Sequence, residues 1–219
     1  GEGGSLSNVR EALDYSKLDA VLISHMHADH FLDVIPLRYG LKYGPVPQGS
    51  RLPLYLPAGG QTMLRQMCAA FASEGPADFL DEVFDVRDFD ERSILEIGDL
   101  RLTFARTIHY VDTFAIRAAV DGSALVYSSD TAPCDRVVEL ARDADLFLCE
   151  CTLGLGTESG ARGHSSAAEA GAMATAAGAG RLVLTHFSDE YASSQLEDAA
   201  GDRYAGPCSV ADDGIELSI

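Results

Sequence analysis

The sequence has no long apolar stretch. Its densest runs, such as Leu146–Phe147–Leu148, fall far short of the roughly 20 residues a membrane-spanning helix needs. No basic start followed by an apolar segment marks a secretory signal. The chain opens at Gly1 without an initiating Met, which leaves room for an upstream segment. No repeat or low-complexity linker interrupts the 219 residues, so residues 1–219 are read as a single domain. Lysine is scarce: Lys17 and Lys42 stand alone against a basic set otherwise made of arginine, and with the abundant Ala and Gly this suggests a bacterial source.

The five cysteines include no C-x-x-C pair. An odd count without a signal peptide points to reduced thiols and a cytoplasmic protein. Cys149 and Cys151 lie two apart on an expected strand and share one face, which favours a place in the core over a soft-metal site. Basic groups are outnumbered: 16 Lys and Arg against 34 Asp and Glu leave a net charge of −18, spread along the chain. Such a surface repels phosphate backbones at long range, so a large nucleic acid is a poor candidate partner. A membrane is no better supported, and a homodimer is the default expectation for any oligomer.

What is present is an alternation of helix and strand patterns. Helices are expected over Ser7–Tyr15, Asp29–Tyr43, Gln61–Ser73, Pro133–Arg142 and Ser165–Ala177, the last with Ser165 as its cap. Ala20–Ile23 reads as a strand buried on both faces, and Leu52–Leu56 as another. Strand patterns over Glu82–Val86, Ile94–Ile97, Leu100–Arg106, Phe114–Val120 and Ala124–Tyr127 suggest a run of antiparallel hairpins. Leu146–Cys149, Leu182–Thr185 and a last strand near Ile215–Ile219 follow. Mixed strands with helices outside make a layered α/β sandwich.

The chemistry concentrates in Ser24-His25-Met26-His27-Ala28-Asp29-His30, directly after a strand. A strand end followed by a loop lets His25 and His27 converge while Asp29 and His30 turn the other way. Imidazole and carboxylate are the ligands that zinc and similar ions prefer. Uncoordinated, so many histidines in a tight turn would need several separate hydrogen-bond partners. His109, Asp130 and His186 each follow a further strand, where loops on a rigid sheet build sites. Each alone could be a structural residue or, for Asp130, a helix cap; behind the first cluster they form one constellation.

His-x-His-x-Asp-His followed by His109, Asp130 and His186 resembles the metallo-β-lactamase superfamily. Gly1-Glu2-Gly3 is similar to a segment that follows an early aspartate in such chains. The resemblance implies a four-layer αββα sandwich whose usual first strands lie upstream. It implies two divalent metal ions, zinc first, with manganese or iron compatible. His25, His27 and His109 would hold one ion, Asp29, His30 and His186 the other, and Asp130 both. An aspartate at position 130, where classical β-lactamases carry cysteine, disfavours antibiotic hydrolysis.

Within that superfamily the C-terminal half resembles the ribonuclease Z branch. The segments are Ser129-Asp130-Thr131-Ala132-Pro133-Cys134, Cys149-Glu150-Cys151-Thr152, Gly163-His164-Ser165-Ser166 and Thr185-His186-Phe187-Ser188. The resemblance implies that Glu150 orients His164 and that His164 protonates the leaving oxygen of a phosphodiester. Asp29, His164 and Glu150 are then the expected catalytic set. The alternatives are a helix-entry residue for His164 and a structural ion pair for Glu150.

Ribonuclease Z carries a long tRNA-grasping arm between the third histidine and the bridging aspartate. Here that interval is only the stretch from His109 to Asp130, room for a hairpin. The expected function is therefore a metal-dependent phosphodiesterase acting on a small, cyclic-nucleotide-like phosphodiester. The competing readings are a tRNA 3′-processing endonuclease, a lactone or thioester hydrolase of the same fold, and a non-catalytic metal-binding scaffold. Arg38, Tyr39 and Tyr43, in the region expected to set specificity, are read as a solvated helix face.

Overall fold

The computed structural model describes residues 14–44, 51–70, 72 and 76–219. Two compact units divide the chain between Asp90 and Glu91. Both are mixed α/β, in agreement with the expected class. The helix expected over Ser7–Tyr15 lies outside the described residues except at its end, where Tyr15–Lys17 forms a 3-10 turn capped by Asp14. No described helix is long and apolar enough to cross a membrane.

Among the described residues the first unit holds a parallel three-stranded sheet with strands β1 (Val21–Leu22), β2 (Leu52–Pro57) and β3 (Phe84–Phe89), in that order. Leu54, Leu56, Leu64 and Phe84 are fully buried at its core, each contributing about 1.5–3 kcal/mol of transfer free energy. β1 is half-buried rather than buried on both faces, because among the described residues it lies at the sheet edge with β2 as its single neighbour. β3 does not open a run of hairpins. It pairs parallel to β2, Leu52 opposite Phe84 and Pro57 opposite Phe89. The intervening segment holds α3 (Gly60–Cys68) and α4 (Pro76–Asp81), the crossover that parallel strands require.

The helix expected over Asp29–Tyr43 is two helices, α1 (Ala28–Phe31) and α2 (Val34–Tyr43). Pro36 explains the break. It has no N–H to give the Leu32 carbonyl, and its ring would strike that carbonyl in a continuous helix. On α2, Tyr39 and Tyr43 are exposed, but Arg38 is buried. Its Nε donates to the Phe79 carbonyl at 2.9 Å, its Nη2 pairs with Glu82 at 2.6 Å, and its guanidinium lies 4.1 Å from the Phe79 ring centre. A planar, weakly hydrated cation can be buried when it is paired and stacked in this way, so the solvated-face reading fails for Arg38.

The second unit is a seven-stranded sheet. β4 (Leu95–Ile97), β5 (Leu100–Arg106), β6 (Phe114–Val120) and β7 (Ser123–Tyr127) run antiparallel. Here the hairpin reading holds. β8 (Leu146–Glu150), β9 (Leu182–Thr185) and β10 (Cys208–Val210) then add parallel to β7. The final strand is thus Cys208–Val210 and not Ile215–Ile219, whose Ile215 and Ile219 are exposed. Helices α5 (Asp135–Leu140), α6 (Ala167–Ala177) and α7 (Ser193–Gly201) connect them.

α6 and α7 touch at Gly171, where an added Cβ would come within 2.4 Å of the Ala200 carbonyl oxygen. Gly171→Ala gains helix propensity yet must force the helices apart. It is expected to destabilise by about 1–3 kcal/mol, seen as a lower urea midpoint. An unchanged or higher midpoint would show that the contact yields freely.

Candidate metal centre

In the first unit the Ile23 N–H still bonds the Tyr55 carbonyl at 3.0 Å, one residue beyond β1. The chain leaves the sheet at Ser24, and both Ser24 and His25 are buried. Ser24 Oγ lies 3.1 Å from His25 Nδ1, so this nitrogen is engaged locally and Nε2 is turned outward from that contact. His27 takes the N-cap position of α1. The His25 ring centre is 4.9 Å from that of His27 and 4.1 Å from that of His30. The rings of His25 and His30 are thus neighbours, while the ligand atoms of Asp29 and His30 group together, apart from those of His25 and His27. The half-exposed Asp29 carboxylate lies 3.2 Å from His30 Nε2.

In the second unit the donors stand at the carboxyl ends of strands. His109 follows β5, Asp130 follows β7, Glu150 ends β8 and His186 follows β9. Asp130 is 2% exposed, and its two oxygens face different histidines: Oδ2 is 3.7 Å from His109 Nε2, and Oδ1 is 3.9 Å from His186 Nε2. These separations exceed a hydrogen bond. They approach the spacing of two donors on one ion, about 3.3 Å for bonds of 2.0–2.1 Å in a tetrahedron.

Local partners fix both rings. His109 Nδ1 lies 2.8 Å from the Gly163 carbonyl, so Nδ1 donates to that carbonyl and Nε2 faces Asp130. His186 Nδ1 is 2.7 Å from Thr152 Oγ1. Metal-ligating histidines have this kind of support on the second nitrogen. The donor set fits a divalent ion of the borderline class.

His164 joins this group: its ligand atom and those of Asp130 and His186 lie within 4.8 Å of one another. Its Nδ1 is 3.0 Å from Glu150 Oε1. Glu150 is wholly buried, and two backbone N–H groups hold its carboxylate: Thr131 at 2.9 Å and Thr152 at 2.8 Å. Burial works against charge on His164, but the Glu150 hydrogen bond and charge, with Asp130 and Glu158 behind them, outweigh it and raise the imidazole above its ordinary value.

Sequence reasoning missed the supporting groups. Ser166, not Ser165, caps α6, in a reciprocal box with Glu169. Ser165 instead donates to the Thr131 carbonyl at 2.6 Å, beside Asp130. Thr152 and Gly163 stand inside segments that the resemblance singles out, which is the signal that could have found them. Ser129 and His186 adopt left-handed backbone, with φ of 53° and 52°, a strained choice for residues with side chains. Cys149 and Cys151 are fully buried. Burial raises both thiols, Cys151 to about 12, so they remain protonated packing groups.

The model of the β-lactamase superfamily domain matches residues 5–187. An uncharacterized protein of Mycobacterium leprae, ML1173, is 32% identical over 99% of this chain and 76% of its own. The probable metallo-hydrolase YhfI of Bacillus subtilis is 30% identical over 91% of this chain and 78% of its own. The YhfI crystal structure, of metallo-β-lactamase fold, superposes with a TM-score of 0.85 at 27% identity, covering 98% of this chain and 84% of that one. The ribonuclease Z of Myxococcus xanthus is 29% identical over 100% of this chain and 86% of its own. The donor residues, the fold likeness and the family match agree: this chain belongs to the β-lactamase superfamily, with the fold of its metallo-hydrolases.

Proposed function

We propose that the protein is a dinuclear metal-dependent phosphodiesterase acting on a small phosphodiester of the cyclic-nucleotide kind. By the resemblance, His25, His27 and His109 would hold one ion, Asp29, His30 and His186 the other, and Asp130 would serve both. Zinc is the first choice for these donors, with manganese or iron compatible. When bound, such a pair lowers the pKa of water toward neutrality and offsets charge on phosphoryl oxygens.

The observation that carries the reading is the Glu150–His164 pair beside Asp130. An alkoxide leaves phosphorus poorly without a proton. A buried carboxylate on Nδ1 fixes the ring and favours the imidazolium, so the opposite nitrogen can deliver that proton. Thioester hydrolysis needs no such donor, because the thiolate it releases departs without a proton.

The relative named ribonuclease Z favours a second reading, tRNA 3′-end cleavage. Against it, the interval from His109 to Asp130 is consumed by the short hairpin of β6 and β7, closed at Asp121–Gly122. The net charge of −18 also opposes RNA. The test is a panel on metal-loaded protein: bis-p-nitrophenyl phosphate, a cyclic nucleotide, a homoserine lactone, a glutathione thioester and a precursor tRNA. Turnover of the two small phosphodiesters is expected. Hydrolysis confined to the lactone or thioester would overturn the proposal, and preferred cleavage of the tRNA would establish the second reading.

A further inference from the structure

Glu158 lies outside every motif the sequence displays, yet it sits at the hub of the loop that carries His164. Its Oε2 accepts the backbone N–H of Gly163 at 2.8 Å and that of His164 at 3.2 Å. Its Oε1 accepts the Tyr110 hydroxyl. The Gly163 peptide held in this way presents its carbonyl to His109 Nδ1, and the next side chain, His164, reaches Glu150.

Tyr110 closes the arrangement from the other side. It follows His109 in the chain, and its ring centre is 5.0 Å from that of His109 and 5.8 Å from that of His164. It packs so closely on Gly163 that a Cβ there would fall 2.5 Å from the ring. Only glycine can occupy position 163 with Tyr110 in place. One carboxylate thus ties the segment that carries a metal-ligand candidate, His109–Tyr110, to the segment that carries the proposed proton donor, Gly163–His164.

We propose that Glu158, with Tyr110 as its anchor, is a positioning group that sets His109 and His164 through the Gly163–His164 peptide. For His164 this rests on the phosphodiesterase reading; for His109 it rests on metal binding alone. The test compares Glu158→Ala, Glu158→Gln and Tyr110→Phe with wild type. Zinc affinity is measured by chelator competition without substrate, and kcat and KM on a cyclic nucleotide and on bis-p-nitrophenyl phosphate.

Glu158→Ala is expected to weaken zinc about 10-fold, as loss of outer partners does. It should also lower kcat on the cyclic nucleotide about 10-fold or more with KM little changed. The loss should be smaller on bis-p-nitrophenyl phosphate, whose phenolate departs without a proton. Glu158→Gln keeps an oxygen for the two N–H groups and should recover most of both properties, and Tyr110→Phe should fall between. Wild-type zinc affinity in Glu158→Ala, or equal losses on the two substrates, would overturn the proposal. A wild type that turns over neither phosphodiester overturns the functional reading instead, while the zinc measurement still decides the role of Glu158 at His109.

Discussion

Asp130→Ala is expected to strip metal from the protein and to reduce hydrolysis well beyond the roughly 10–100-fold that loss of an outer partner produces. Asp130 is nearly inaccessible, and each of its carboxylate oxygens faces a different histidine. Its removal therefore acts on both proposed ions at once. Elemental analysis after dialysis should find the variant depleted where wild type retains metal. A chelator should lower the melting temperature of wild type and leave that of the variant unmoved, because a ligand bound only by the folded state at 100 times its Kd adds about 2.7 kcal/mol. Asp130→Asn keeps the shape and loses the charge, so it should fall between. A variant that retains full metal would remove Asp130 from the ligand set.

His164→Ala should behave in the opposite way. Its imidazole is tied to Glu150, and in the proposed function it gives a proton and holds no ion. Metal content should stay at the wild-type value while kcat on a cyclic nucleotide falls about 10²–10⁴-fold. The loss should shrink on bis-p-nitrophenyl phosphate. If the variant keeps full activity on the cyclic nucleotide, the proton is supplied by another group. If it loses metal, His164 is a ligand, a role its closeness to Asp130 and His186 would permit.

Much of the fold is legible because its signals are local. The limits of β5 and β6 follow from strand propensity bounded by turns at Gly98–Asp99 and Asp121–Gly122. The ends of β9 are equally plain, an apolar run between Gly180–Arg181 and His186. What local pattern does not reveal depends on partners far away in the chain. β3 carries the same pattern as a hairpin strand, and only the crossover through α3 and α4 makes it parallel. Arg38 looks solvent-directed by helical spacing, and its burial depends on Phe79 and Glu82, about forty residues on.

The candidate site divides along the same line. Histidines and aspartates at strand ends are visible as residue types, and the resemblance groups them. The pairing of Glu150 with His164 was an expectation of that resemblance, and the geometry places the two atoms within hydrogen-bond reach. Backbone groups leave no trace in side-chain composition. The Gly163 carbonyl on His109 and the Thr131 and Thr152 amides on Glu150 are of that kind. Glu158 is one acid among 34 in a chain of Asp and Glu, and nothing in its neighbours singles it out.

The left-handed backbone at His186 carries a consequence for how this chain can change. A side chain held there costs about 1–3 kcal/mol, and glycine would be more at ease in the same turn. Backbone stability alone would favour glycine over the imidazole here. With His186 as a ligand in the proposed function, drift toward a sturdier fold at this strand end would run against chemistry, and position 186 would be where thermal robustness and reactivity pull in opposite directions.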